Sequence, residues 1–430
     1  MRHRTWGVPL AGALLLLAGS ARAQSAIFEA PGLRAYVREV LARNAGYRAA
    51  SSRLAAATQQ IAPAGALPDP MLTIGGMSVP EPSFDFGTES MTQLPVMLEQ
   101  RFPFPGKQGA SAALARADSD VSGQTVGAVR ADLAAAAARA YFALAYARTA
   151  LAVWADRDRL AEQAVRVSQV RYQTGAAPQT DMLRALLRRA ELNEQRQQLD
   201  AGLATAAARV DALRAGPGDS VPAPLLITAD GRPAMPIATD TLAPDSVLAR
   251  RLAARNPALR IAGAEVERAD RRARVLGIAA RPDITLSLEY AKRFAGRQPL
   301  LTALLGLSLP VWAGRKQGPA ARSARLDAQA RRESRDDLLA RLTGDLRSET
   351  ADVDALRSRV RQTSDAILPL ARTASVSALQ SYEVGAVEFT AVLDTQDELY
   401  RAELRLARLV ADYGGARAQL AALVGEEWYR

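Results

Sequence analysis

Cysteine is missing from the 430-residue chain, and its only histidine is His3. Beyond that residue, no disulfide, thiolate or imidazole can form. Zinc, copper and iron sites usually draw on such ligands, and a Ser-His or Cys-His nucleophile cannot be assembled. With no clustered acid pair in a cleft-like context either, no cofactor and no enzymatic role is expected. Aromatics make up only 5% of the residues, whereas alanine is plentiful. That balance favours long, closely packed helices over a thick globular core. Lysine is scarce as well: Lys107, Lys292 and Lys316 are the only three, so the net charge of +10 is almost all arginine. Acids alternate with these arginines, as from Arg331 to Asp337, which describes solvated helix faces laced with i,i+4 pairs. No nucleic-acid recognition motif accompanies them, and no nucleic-acid partner is expected.

Long apolar runs are also lacking. The stretch from Val8 to Ala18 is 11 residues, short of the ~20 needed to span a bilayer. Arg2 and Arg4 before it and Ala21-Arg22-Ala23 after it make residues 1–23 a secretory signal, with cleavage expected at Ala23. Removing Arg2, Arg4 and Arg22 takes the charge from +10 to +7.

What the chain does hold, it holds twice. Pro68-Asp69 recurs as Pro282-Asp283. Pro103-Phe104-Pro105-Gly106-Lys107-Gln108-Gly109 recurs as Pro310-Val311-Trp312-Ala313-Gly314-Arg315-Lys316-Gln317-Gly318. Tyr172-Gln173-Thr174-Gly175-Ala176 recurs as Tyr382-Glu383-Val384-Gly385-Ala386. Three landmarks in fixed order indicate two copies of one unit: a first repeat over 24–215, a Pro/Gly-rich linker over 216–244, and a second repeat over 245–430.

Each copy reads helix, strand, loop, strand, very long helix, turn, long helix. Helices are expected over Leu33 to Ile61, Gln108 to Arg171, Gln179 to Arg214, Asp245 to Ile278, Gln317 to Ser381 and Val387 to Leu423. Strands are expected over Met71 to Val79, Gln93 to Phe102, Ile284 to Lys292 and Leu301 to Leu309. The loop between the first two strands carries Pro80, Pro82 and Gly87. Period-two alternation is clearest where Ile284, Leu286, Leu288 and Tyr290 oppose Thr285, Ser287 and Glu289. A 64-residue helix from Gln108 to Arg171 would be about 96 Å long.

Strands of about ten residues match a tilted bilayer crossing. Four of them cannot close around a passage, and open edges in lipid cost several kcal/mol per unpaired group. Three chains would pool twelve strands. Two small soluble sheets packed on the helices are the alternative.

The duplicated layout, the signal, Pro68-Asp69-Pro70, Phe102-Pro103-Phe104-Pro105-Gly106-Lys107 and the paired Tyr-x-x-Gly turns resemble the TolC family of outer-membrane efflux channels over essentially the whole mature chain. The Pro-Asp-Pro and Phe-Pro-Gly-Lys details look most like its heavy-metal (cobalt–zinc–cadmium) branch. The resemblance implies a mainly α fold with a small β part. Long antiparallel helical hairpins would form an α-barrel, four strands per protomer would join a trimeric 12-stranded β-barrel, and 216–244 would lie in an equatorial region. It implies a homotrimer in the outer membrane of a Gram-negative bacterium, extending into the periplasm. Its partners would be a periplasmic adaptor, an inner-membrane pump and outer-membrane lipid, with metal cations among the cargoes. Many relatives carry a lipidated cysteine, which this chain lacks. The other functional class is a periplasmic coiled-coil scaffold or adaptor that never enters the membrane.

The resemblance also implies site residues. Asp181, Asp394 and Glu388 are candidates for acidic rings at a periplasmic gate, although carboxylates in a first helical turn also serve the macrodipole. Tyr172, Gly175, Tyr382 and Gly385 form the hairpin tips that an adaptor would contact. Pro103, Pro105, Gly106, Pro310 and Gly314 would redirect the chain from barrel to tunnel. Trp154, Trp312 and Trp428 are read as packing residues, with Trp312 alternatively at a membrane interface.

Overall fold

The computed structural model describes residues 26–81, 89–237, 240–294 and 296–429. The expected signal with Ala23, and Pro82 and Gly87 of the first inter-strand loop, lie outside them.

The first repeat comprises α1 (Leu33–Arg43), α2 (Ala45–Gln59), a short α3 (Ile61–Gly65), β1 (Met71–Ile74), β2 (Gln93–Phe102), α4 (Lys107–Gln173) and α5 (Gln179–Leu213). The second comprises α6 (Asp245–Arg255), α7 (Pro257–Ile278), β3 (Ile284–Arg293), β4 (Leu300–Leu307), α8 (Gln317–Gln362), α9 (Leu368–Glu383) and α10 (Phe389–Leu423), with a π turn over Thr363–Ile367. At 67 residues, α4 is about 100 Å long. Its alanines let neighbouring helices come close. So does Gly414 of α10, where a Cβ would sit 2.6 Å from the Phe142 ring.

Three expected helices are divided. The first breaks at Asn44, whose Oδ1 accepts the Tyr47 N–H (3.1 Å) while its Nδ2 donates to the Leu213 carbonyl (2.9 Å). Asn256 repeats both contacts, with the Leu259 N–H (2.9 Å) and the Leu423 carbonyl (2.8 Å). Each asparagine caps a new helix and ties it to the end of its repeat's returning helix. The long helix of the second repeat is interrupted by the π turn just before Pro369, which has no N–H for the ladder.

The strands form one antiparallel sheet in the order β1-β2-β3-β4. The two repeats join at its centre, from Gln93↔Arg293 to Phe102↔Ile284. β1 spans four residues rather than reaching Val79. Gly75 and Gly76 weaken the strand, Ser78 turns left-handed (φ 53°), and only a single bridge, Met77↔Gln93, follows. β4 ends at Leu307 rather than Leu309.

The main core lies midway along the helices, where Tyr141, Phe142, Tyr413, Leu406 and Trp428 are buried. The described parts of the 216–244 segment, 216–237 and 240–244, lie as a strap against the helices. Arg148 donates to the carbonyls of Val221 (2.8 Å) and Ala223 (3.1 Å), and Thr149 accepts the Leu226 N–H (2.9 Å). Its far end is held at Asp240, which accepts from the Tyr413 hydroxyl (2.6 Å) and the Arg417 Nε (3.1 Å). Trp428 stacks on Phe28 (4.3 Å between centroids) and Trp154 donates to the Leu192 carbonyl (2.8 Å). Trp312 does not pack: it is 67% exposed.

Candidate functional site: a bare sheet face, a strand-to-helix junction and the helical tips

Register converts the strand alternation into two chemically different faces. Leu72, Leu98, Leu288 and Ala303 share one row, and Ile74, Val96, Tyr290 and Leu301 the next. Ile284 and Leu307 continue this face, and its large side chains are open: Leu288 is 48% exposed, Leu301 71% and Leu305 76%. The opposite face carries Glu99, Ser287, Glu289, Thr285 and Thr302 beside Met97 and Leu304. There the Ser287 hydroxyl donates to Glu99 (3.3 Å). An apolar face of this extent needs a cover. Among the described residues no helix is long and apolar enough to cross a membrane, so a crossing would fall to these strands. Among the described residues β1 and β4 each have one edge without a partner strand.

Just below the sheet, the chain passes into the long helices. Asp283, 5% exposed, accepts from Lys107 Nζ (2.8 Å), Arg101 (2.6 Å) and the Phe104 N–H (2.9 Å). Its own N–H donates to the Ser308 hydroxyl (2.7 Å). Burial opposes the charge, but the Lys107, Phe104 and Arg101 hydrogen bonds outweigh it and hold the carboxyl near a pKa of about 2. Pro103 and Pro105 flank Phe104, over which Arg281 stacks (4.9 Å). Gly106 then turns left-handed (φ 95°) to start α4. In the second repeat Pro310 follows β4, but Gly314 is not left-handed, and the exit loop is longer. Asp283 stood in the sequence only as a repeat landmark, and nothing there revealed it as the acceptor for Lys107.

At the opposite end both hairpins turn alike. Gly175 (φ 71°) and Gly385 (φ 78°) follow the helix caps. The Ala176 N–H reaches the Arg171 carbonyl, and the Ala386 N–H the Ser381 carbonyl, each at 2.8 Å. Both are Schellman turns, which need a left-handed residue at that position. The two tyrosines differ. Tyr172 is 41% exposed, whereas Tyr382 is 2% exposed. Its hydroxyl donates to Asp181 (3.1 Å), its ring packs on Phe389 (5.1 Å), and Arg171 covers the ring (4.5 Å) while donating to the Tyr382 carbonyl. Burial, then the bond to Asp181 and that residue's charge, push the phenol up to about 12 against the opposing Arg171.

Asp181 is therefore buried in a clasp between the two hairpins, whereas Asp394 and Glu388 are exposed and take no part in it. Glu388 precedes α10 at its N-cap position, where its side chain makes no bond to the helix backbone and accepts from the Thr390 hydroxyl (3.4 Å). The clasp is one-sided because Ser381 and Ala391 stand at the repeat positions of Arg171 and Asp181. Deeper in the bundle, Arg157 and Arg188 both pair with Asp397, and Arg157 lies over Tyr400 (4.4 Å). Arg171, Arg157 and Asp397 carried no distinguishing sequence signal among so many alternating charges.

The chain matches the family model described as outer membrane efflux protein over residues 36–215 and again over 248–426. Solved structures sharing its fold include CusC, from a description of conformational changes accompanying folding and transmembrane channel formation (17% identity, 92% of each chain covered, TM-score 0.76). The outer-membrane channel OprN aligns over 99% of each chain (18% identity, TM-score 0.77). VceC of the pathogen Vibrio cholerae aligns over 93% of this chain and 98% of its own (18% identity, TM-score 0.72). No curated protein matches the sequence significantly.

Proposed function

The chain belongs to the outer membrane efflux protein family, and from that premise we propose how its parts divide the work of a passive exit duct. It is an outer-membrane channel component of efflux, a conduit rather than an enzyme. Three copies would close their sheets into one 12-stranded barrel, with the apolar face against lipid and the Glu99–Glu289 face lining the lumen. The observation that carries this reading is the sheet itself: one bare apolar face, one polar face and two open edges. In lipid, such edges are tolerated only when paired.

Below the barrel, the helical hairpins would form a tunnel through the periplasm, with 216–244 in its equatorial girdle. The tips would close its entrance and receive a periplasmic adaptor linked to an inner-membrane pump. Exposed apolar residues near them, Val170, Leu183, Leu187 and Val384, support such docking. The Tyr382–Asp181–Arg171 clasp would hold the hairpins together in the closed state, and Asp394 would narrow the entrance as a ring of negative charge. Such a ring attracts cations, which suits metal cations as cargo, in keeping with the heavy-metal resemblance.

Purified protein reconstituted in planar bilayers tests the duct: discrete conductance from a trimeric species is expected. Material that washes off membranes with urea alone, without detergent, would instead mark a periplasmic scaffold.

A further inference from the structure

The Asp283 junction lies across the boundary between repeats. Lys107 belongs to the exit of β2, and Asp283 to the entrance of β3. Both partners have repeat counterparts. Lys107-Gln108-Gly109 corresponds to Lys316-Gln317-Gly318, and Pro282-Asp283 to Pro68-Asp69. Lys316 thus stands at the exit of β4, and Asp69 at the entrance of β1.

Within one protomer these two cannot meet, because β1 and β4 are the opposite edges of the sheet. Both side chains are exposed, and among the described residues neither has a hydrogen-bond or ion-pair partner. Pairing β4 with β1 of a second copy would place a β4 exit beside a β1 entrance, the same arrangement that β2 and β3 have inside the chain.

We propose that Lys316 of one protomer binds Asp69 of the next, so that the seam between copies is locked by a duplicate of the Lys107–Asp283 contact. This inference rests on the barrel reading and adds the residues that join its copies. The seam is not an identical copy. Aligned on Pro103 and Pro310, Ser308 stands where Arg101 does, so one cation is lost, while Arg315 beside Lys316 supplies another within an exit loop two residues longer. An open seam of exposed groups is more salt-sensitive than the buried Asp283 junction. The three seams are therefore the electrostatically weaker joints, and each internal junction stays with its own protomer.

Because the chain has no cysteine, introduced thiols report cleanly. Asp69→Cys combined with Lys316→Cys, treated with a short bis-maleimide, should give covalent dimers and trimers on denaturing gels. Each single variant should give neither. Lys107→Cys with Asp283→Cys should cross-link only within one chain. As a second measurement, Asp69→Lys or Lys316→Asp alone should shorten the trimer's lifetime in detergent at low salt about tenfold, since three pairs are lost together. The double reversal should restore it.

A double-cysteine protein that sediments as a trimer but forms no inter-chain ladder overturns the proposal while leaving the barrel standing. So does failure of the double reversal to rescue. Wild-type protein that sediments only as a monomer in detergent removes the barrel and the seam together.

Discussion

Leu288 and Glu289 are neighbours in β3, yet the barrel predicts opposite outcomes when each becomes arginine. Leu288 is the fifth of ten residues in its strand and points out of the apolar face. An arginine at the bilayer midplane costs about 2–4 kcal/mol per strand, so three copies would lose roughly 6–12 kcal/mol per trimer. Were the sheet in water, the same change at a position already 48% exposed would stay within about 0.5 kcal/mol. Glu289 faces the other side, paired with Met97 and Thr302. Glu289→Arg should therefore insert normally and reverse three lumen charges, moving ion selectivity toward anions. Folding into lipid vesicles across a urea series, scored by trimer yield, measures the first effect, and reversal potentials in planar bilayers the second. Wild-type assembly of Leu288→Arg, or a larger assembly defect in Glu289→Arg, would refute the assignment of the two faces.

Tyr382→Phe leaves the buried Asp181 carboxylate without its hydroxyl partner, a loss of about 1–3 kcal/mol. Channels carrying it should open more often, by about fivefold or more in single-channel records, and unchanged gating would exclude the clasp. Asp394→Ala should lower cation selectivity without changing thermal stability, because the side chain is exposed and outside that clasp; unaltered selectivity would remove it from the entrance. Asp283 is held near a pKa of about 2, below the ordinary 3.8–3.9 of an aspartate. Its stabilisation is complete above pH ~4 and is lost as pH falls toward 2, up to about 2 kcal/mol with Arg101 half in water. Melting curves of Asp283→Asn should show a weaker pH dependence than the wild type in that window and start lower at neutral pH. Ala215 ends its repeat's last helix left-handed (φ 60°) where Gly425 ends the other (φ 69°). Ala215→Gly should therefore raise stability by about 0.5–1 kcal/mol in chemical denaturation.

Order, period and punctuation carried most of the architecture. Long alanine-rich stretches without interior proline mark α4 and α8 (Pro319 lies in the first turn of α8), alternation marks β3, and glycine after Tyr-x-x marks both tips, since these depend on residues near each other in the chain. Local patterning could have gone further. Arg-Asn at 43–44 and 255–256 is a repeated helix-start signal, and Gly75-Gly76 warns that β1 is short.

Composition and internal duplication were sufficient for the class of the molecule. A chain without thiols, with helices too long for a globule and with too few strands to close a ring, is written in local terms. Tertiary structure alone decided which of the duplicated parts act alike. Tyr172 and Tyr382 sit in matching turns, but only Tyr382 meets an aspartate and an arginine across the hairpins, because the second hairpin offers Tyr172 only Ser381 and Ala391 at the positions of Arg171 and Asp181. Asp69 and Asp283 follow the same proline, but only Asp283 has a lysine on the adjacent strand exit within its own chain. Repeats share their local backbone preferences, whereas contacts depend on neighbours brought in from 170 residues away or more, and it is there that the two halves diverge.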